Sequence, residues 1–370
     1  MSPVHLIMLT GGFALGGVAG FLMHRSDYCV AGMFRDLFLF RSTLMIKTLL
    51  LLIALSLTLF ELIRLSGAVA VPFPFFGPPS AVNVLGGFLF GIGMVLAGGC
   101  VVGTLYKLGA GSFPSLLAFL GLVIGSTLYA WLHPWWIGVA KAAAFPTRAV
   151  TLPQLLGLSP WLLVLPLSLL LAGLLVRWFR GRAMETAMVV DGYLQPWKAA
   201  VGLALVGVVS VLLIGMPMGI TTSYAKFGAM PLQWLAPEIY GTLAYFTLLP
   251  LRYTPPLGGG TLTGGPGALL DGVALVQFPL IVGIVAGSAW SAFRLREWRM
   301  HFNLPWRQVL SALLGGMLMG LASRMAPACN IWHLLGGLPI LALQSFLFLA
   351  GLLPGAWLGS VLLTRLVMVR

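Results

Sequence analysis

The stretch GFLFGIGMVLAGGCVVG, residues 87–103, decides the fold class, because it is too apolar for water and too rich in glycine to stay one unbroken helix. Gly87 and Gly91 stand four apart on one helical face. Small residues at that spacing let two backbones approach closely in lipid, where dispersion replaces the hydrophobic effect. Further on, Gly98 and Gly99 precede Cys100 and Gly103 follows it. That run predicts a break near the cysteine and a shorter helix after it.

The pattern recurs in GGVAGFLMHRSDYCVAG (16–32), LALVGVVSVLLIGMPMG (203–219) and GMLMGLASRMAPACNIW (316–332). Aligned on Cys29, Cys100, Met216 and Cys329, every copy has glycine nine residues earlier: Gly20, Gly91, Gly207 and Gly320. Three copies have glycine three residues later, at Gly32, Gly103 and Gly219. The chain is thus organised by a fourfold internal repeat.

Outward from these motifs, apolar stretches of span length cover 4–23, 44–65, 82–99, 113–132, 160–179, 198–214, 269–293, 306–325 and 340–366. A tenth, 234–250, carries Pro237, Glu238 and Pro250 and is expected not to cross. No basic residue precedes 4–23 and no cleavage pattern follows it, so it reads as the first span. Basic segments at 35–47, 177–198, 294–307 and the tail (Arg365, Arg370) fall on one side only if nine stretches cross. The positive-inside rule makes that side cytoplasmic, with the N-terminus outside and the C-terminus inside. Lys141 and Arg148, in the outer loop 133–159, run against the rule. Odd parity then makes residues 1–190 and 191–370 inverted halves of a single transmembrane domain, with Cys100 opposite Cys329 and Cys29 opposite Met216. The expected fold is all-α and polytopic, with nine transmembrane helices and four short re-entrant half-helices.

Composition agrees: of 370 residues 59% are hydrophobic and 8% charged, which leaves no soluble domain. The formal charge of +13 sits in the loops, where it sets topology rather than binding nucleic acid. Eight acidic residues, mostly at span ends, argue against a carboxylate proton relay or a cation pore and for an anionic or neutral cargo. No cofactor or metal site is expected, since cysteine and histidine lack paired spacing. The loop LGGGTLTGGPG (257–267) lacks the Lys-Ser/Thr ending of a phosphate loop.

Helix starts at the breaks would aim backbone N–H groups at the centre, a site for an anion. Sulfur side chains add soft contacts suited to a sulfur-containing ligand. The same cysteines could merely pack, or one could act as a nucleophile at a helix start. A buried thiolate would repel an anion, which favours neutral thiols. The candidate pathway comprises Cys29, Cys100, Cys329, Met216, Gly99, Gly103, Thr104, Asn330 and His333, the polar members either lining it or satisfying broken backbone. Arg25 and Arg324 either attract the anion or snorkel to an interface.

Three motifs together resemble the YeeE/YedE family of membrane proteins, associated with sulfur and selenium transport. They are LGGFLFGIGMVLAGGCVVGTLYKLGAGS (85–112), SRMAPACNIWHLLGGLP (323–339) and DYCVAGMFRDLFLFR (27–41). Ala328 departs from the pattern, standing where glycine commonly precedes the last cysteine. The resemblance implies a helical hourglass in a bacterial inner membrane that imports thiosulfate or a related small sulfur species past the three cysteines. It also implies delivery to a cytoplasmic TusA-like sulfur carrier and no enzymatic activity. A selenium species as cargo, or a sulfurtransferase subunit using a cysteine persulfide, are the alternatives.

Overall fold

The computed structural model describes residues 3–186, 191–257 and 260–367. Arg370 of the basic tail and residues 258–259 of the Gly-Pro loop lie outside them. The chain forms α1 (Pro3–Ser26), α2 (Val30–Phe40), α3 (Leu44–Leu65), α4 (Val82–Leu96), α5 (Val101–Gly109), α6 (Phe113–Ala142), α7 (Leu152–Leu156) and α8 (Pro160–Arg180). It continues with α9 (Pro196–Ile214), α10 (Thr221–Leu235), α11 (Pro237–Thr242), a two-stranded hairpin of β1 (Leu251–Tyr253) and β2 (Leu262–Gly264), α12 (Gly272–Arg294) and α13 (Trp306–Met325). A wide helical turn, Trp332–Gly337, and α14 (Leu343–Leu362) complete it.

Among the described residues nine helical segments are long and apolar enough to cross a membrane, counting α1 with α2 and α4 with α5 as one segment each. The 234–250 stretch does not cross: α10 ends at Leu235, and α11 and a single tight turn, Ala244–Thr247, are both too short. The protein is an all-α polytopic membrane protein, its one hairpin confined to a loop.

Glycine contacts fix how the spans lie. Gly12, Gly16 and Gly20 of α1 meet Val276, Leu280 and Ile284 of α12 in increasing order, so the two helices are parallel. The α4 and α14 pair is parallel by the same test, Gly87 meeting Phe348 and Gly91 meeting Leu352. So is the α6 and α13 pair, through Gly316 on Ala118 and Gly320 on Leu122. Two other contacts run antiparallel. Gly93 of α4 packs on Gly315 of α13 while Gly86 packs on Ala326, and Gly11 and Leu22 of α1 meet Leu213 and Gly202 of α9.

These directions place the loops at two ends of the bundle. One end carries 66–81, 143–159, the excursion formed by 215–257 and 260–271, and the stretch 326–342, tied by backbone pairing of Ser80 with Ala144 and Thr151 with Ala342. The opposite end carries 41–43, 110–112, 181–186, 191–195 and 295–305, and with them most of the described arginines.

A buried ion pair anchors the excursion. Lys226 of α10 has a fully buried side chain whose Nζ lies 2.9 Å from Asp271 Oδ2. It also donates to the carbonyls of Gly267 at 2.9 Å and Leu269 at 2.6 Å. Asp271 in turn accepts from the amides of Val273 at 3.0 Å and Ala274 at 3.2 Å, capping α12, and from Gly265 at 2.9 Å. The described part of the Gly-Pro segment is therefore a structural loop clamped between α10 and α12, with Gly265 packed on Leu248 and Gly267 on Phe246.

Candidate functional site

Each of the expected breaks is present, and each turns at a residue with positive φ. The residues are Asp27 (46°), Gly98 (70°), Gly215 (87°) and Ala328 (100°). Cys29 and Cys100 are the N-cap residues of α2 and α5, both in extended backbone. Cys100 Sγ accepts from the Gly103 amide at 3.3 Å. The sulfurs of Cys29 and Cys329 face the corresponding amides, Gly32 and Trp332, Cys29 with looser geometry. A thiol can fill this position because the first amides of a helix have no partner inside it. The fourth copy differs: its break runs from Gly215 to Ile220, and α10 starts only at Thr221. Met216 therefore does not cap a half-helix.

All three thiols are free and buried, at 2%, 0% and 1% exposure for Cys29, Cys100 and Cys329. The closest pair is Cys29 with Cys100, whose sulfurs stand within about 6 Å of each other on either side of the space above Gly103. Both crowd Gly103, where a Cβ would stand 2.7 Å from Cys29 Sγ and 3.2 Å from Cys100 Sγ. Gly103 is thus the residue that lets two sulfurs meet. Cys329 joins the same layer from the opposite direction, close enough to interact electrostatically with Cys100. Tyr224 of α10 reaches into it as well, its hydroxyl donating to the Val101 carbonyl at 3.3 Å.

Among the long helices, α1 packs antiparallel to α9 and α4 to α13. Side chains at the breaks arrange themselves otherwise. Cys29 meets Cys100, while Met218 and Ile220 border a cavity of about 20 Å³ with Cys329, Tyr28 and Val102. Met216 opens instead on a vestibule of about 400 Å³ at the excursion end, lined also by His133, Thr222, Arg324, Ala328 and Trp332. A second vestibule of about 420 Å³ lies at the arginine-rich end, lined by Arg35, Gly98, Lys107, Ser115 and Gln308. Lys107 Nζ donates to the Gly98 carbonyl at 2.8 Å, which holds its charge at the break before Cys100. The cysteine layer separates the two vestibules.

The remaining sequence candidates fall into distinct roles. Arg324 lines the first vestibule, donates to Thr222 Oγ1 at 3.2 Å and leaves its buried Nε without a protein partner. Arg25 lies away from the thiols, donating to Ser291 Oγ at 2.9 Å and to the Gly192 carbonyl, so it ties the 191–195 loop to α12. Thr104 returns its hydroxyl to the Cys100 carbonyl at 2.9 Å, satisfying the broken backbone. Gly99 closes the turn before Cys100, its amide bonded to the Met94 carbonyl at 3.2 Å. His333 packs toward α14, with Nδ1 3.0 Å from Ser345 Oγ and its ring stacked on Phe348 at 4.2 Å. Asn330, next to Cys329, is fully buried with neither end of its amide paired to protein. Each such unpaired group costs roughly 1–3 kcal/mol, so the Asn330 amide has both a donor and an acceptor free for a polar partner.

Sequence reasoning missed Tyr224, Lys107 and the Lys226–Asp271 clamp. Lysines at 107 and 226 inside otherwise apolar runs were the available signal, since a charge in a span needs a partner.

Comparison with known proteins places this geometry. A family model described as sulphur transport matches residues 25–358. The chain is similar to a thiosulfate transporter, TsuA, of Spirochaeta thermophila, with 29% identity across 97% of this chain and 100% of the relative. It is similar to the thiosulfate transporter TsuA of Escherichia coli at 26% identity, across 95% of this chain and 94% of that one. A probable transporter, YedE, of Escherichia coli is 34% identical over a shorter stretch, 45% of this chain and 41% of its own.

Proposed function

The chain belongs to the sulphur transport family, and from that premise we propose that it imports thiosulfate, or a closely related small inorganic sulfur species, through a central pathway lined by cysteine thiols. The observation that carries the reading is the convergence of three buried thiols from three copies of one repeat between two basic vestibules. Relatives named for thiosulfate transport, covered over nearly their whole length, support the cargo class.

The physical account is short. A divalent sulfur oxyanion is drawn by Arg324 into the first vestibule, whose floor includes Ala328, one residue ahead of Cys329. Neutral thiols then replace part of its hydration shell with weak S–H donors, aided by the helix-start amides beside each cysteine. Cys329 meets it first, the Cys29 and Cys100 pair second, and Lys107 and Arg35 attract it on the far side. Because each thiol contact is weak, the anion is released as readily as it is bound, which conduction requires.

The arginine-rich end faces the cytoplasm of a bacterial inner membrane by the positive-inside rule, so the N-terminus is outside and the C-terminus inside. A TusA-like sulfur carrier would receive the cargo at the Arg35 and Lys107 vestibule. The antiparallel packing of α1 on α9 and of α4 on α13 supports reading 1–190 and 191–370 as inverted halves around the thiol layer.

Growth on thiosulfate as sole sulfur source, in a bacterium lacking its own importers, tests the function. The natural chain is expected to restore growth, and Cys100→Ala to abolish it while reaching the membrane in equal amount. Full growth of the variant would remove the thiol from the mechanism. Uptake of labelled thiosulfate and of selenium analogues by the reconstituted protein separates the two cargoes.

A further inference from the structure

We propose that Cys29 and Cys100 form a reversible redox pair, a dithiol that closes to a disulfide across the narrowest part of the pathway and shuts it. Two free, buried thiols both crowd Gly103, each sulfur within 3.2 Å of the point where its Cβ would stand, so no side chain separates them there. The bond needs the sulfurs to close to about 2.05 Å, an approach that rotation of the two cysteine side chains and a shift of the breaks would supply. Both cysteines stand in extended backbone at the starts of short helices, where each carbonyl accepts the first helical bond, from Met33 for Cys29 and from Thr104 for Cys100. Residues on the preceding side of each cysteine, Asp27 and Gly98, are the turns that would absorb the shift. Cys329 approaches from the opposite end of the bundle, on a different break, and stays a free thiol.

The oxidant class follows from the proposed cargo, and to that extent the inference rests on the transport reading. A polythionate such as tetrathionate is the oxidised dimer of thiosulfate and carries the same sulfonate ends. One cysteine, as thiolate, attacks an inner sulfur and breaks the central S–S bond, releasing one thiosulfate and leaving a Cys–S–S–SO₃⁻ adduct. The second thiolate attacks the cysteine sulfur of that adduct and expels the second thiosulfate. The two cysteines lose two protons and two electrons, and one tetrathionate becomes two thiosulfates. Closure removes two S–H donors from the path and ties the start of α2 to the start of α5. A dithiol reductant reopens it by the usual exchange.

The test uses the full-length protein purified in detergent, treated with potassium tetrathionate, then unfolded in acid, alkylated and weighed. Free thiols are expected to fall from three to one, with peptide mapping showing a Cys29–Cys100 link and free Cys329, and dithiothreitol restoring all three. Three thiols still free, separate adducts without a link, or a link that includes Cys329 would each overturn the pair. Gly103→Ala, whose methyl group pushes between the sulfurs, is expected to lower the yield of the link, and an unchanged yield would contradict the geometry. In proteoliposomes, uptake of labelled thiosulfate is expected to stop on oxidation and return on reduction. A thiol count that falls to one in liposomes that never take up thiosulfate would sink the transport reading and leave the redox pair standing.

Discussion

At the scale of single residues, the breaks are made by backbone sign rather than by sulfur. Asp27, Gly98, Gly215 and Ala328 take positive φ, and glycine does so without strain. Alanine at 100° is held there by its surroundings, at a cost of roughly 1–3 kcal/mol. Ala328→Gly should therefore raise the thermal midpoint of the purified protein and leave thiosulfate uptake in place. A midpoint that stays level or drops would show that no strain is stored at this position.

At the scale of elements, the repeated glycines are unequal. A Cβ at Gly20 would run into the Ile284 carbonyl, and at Gly91 it would lie 2.6 Å from the Leu352 carbonyl. At the equivalent Gly207 the nearest atom is the Phe60 ring tip, at an ordinary 3.9 Å. Gly20→Ala is expected to force α1 and α12 apart at a cost of about 1–3 kcal/mol, seen as a lower unfolding midpoint in detergent. Gly207→Ala should shift the midpoint far less, and equal shifts would deny that backbone approach is what matters. The Lys226–Asp271 clamp acts between α10 and α12. Lys226→Met leaves the largely buried Asp271 without its cation, with only the Gly265, Val273 and Ala274 amides to hold it, a loss of roughly 2–4 kcal/mol. The double variant Lys226→Met with Asp271→Asn should recover a good part of the midpoint, whereas no recovery would mean that the ion pair is incidental to the fold.

At the scale of the whole molecule, two vestibules of similar size lie toward opposite ends of the bundle, with the buried thiols between them. Sidedness gives a direct check on the proposed orientation. In a background free of the native cysteines, Thr222→Cys should react with an impermeant maleimide added outside cells, and Gln308→Cys only after the membrane is permeabilised. The reverse pattern would invert the molecule and, with it, the direction of transport. The same asymmetry extends to the repeat, since three copies place a thiol at the start of a short helix and the fourth places Met216 in a vestibule wall.

Much of this was determined by the sequence alone. Apolar length gave the spans, the side on which the arginines fall gave their number, and glycine spacing gave the breaks at Cys29, Cys100 and Cys329. These are legible because a bilayer constrains each segment independently, through its length and its unpaired backbone. The sequence singles out Arg25, Arg324, Asn330 and His333 alike, and only the structure shows Arg25 bonded to Ser291 and His333 to Ser345 while Arg324 Nε and the Asn330 amide have no protein partner. Only the tertiary structure decided which sulfurs meet. Span parity leads one to expect Cys100 opposite Cys329 and Cys29 opposite Met216, yet the side chains at the breaks follow the short helices rather than the long ones. Gly103 then admits Cys29 beside Cys100, a contact between residues 71 positions apart that no local periodicity encodes.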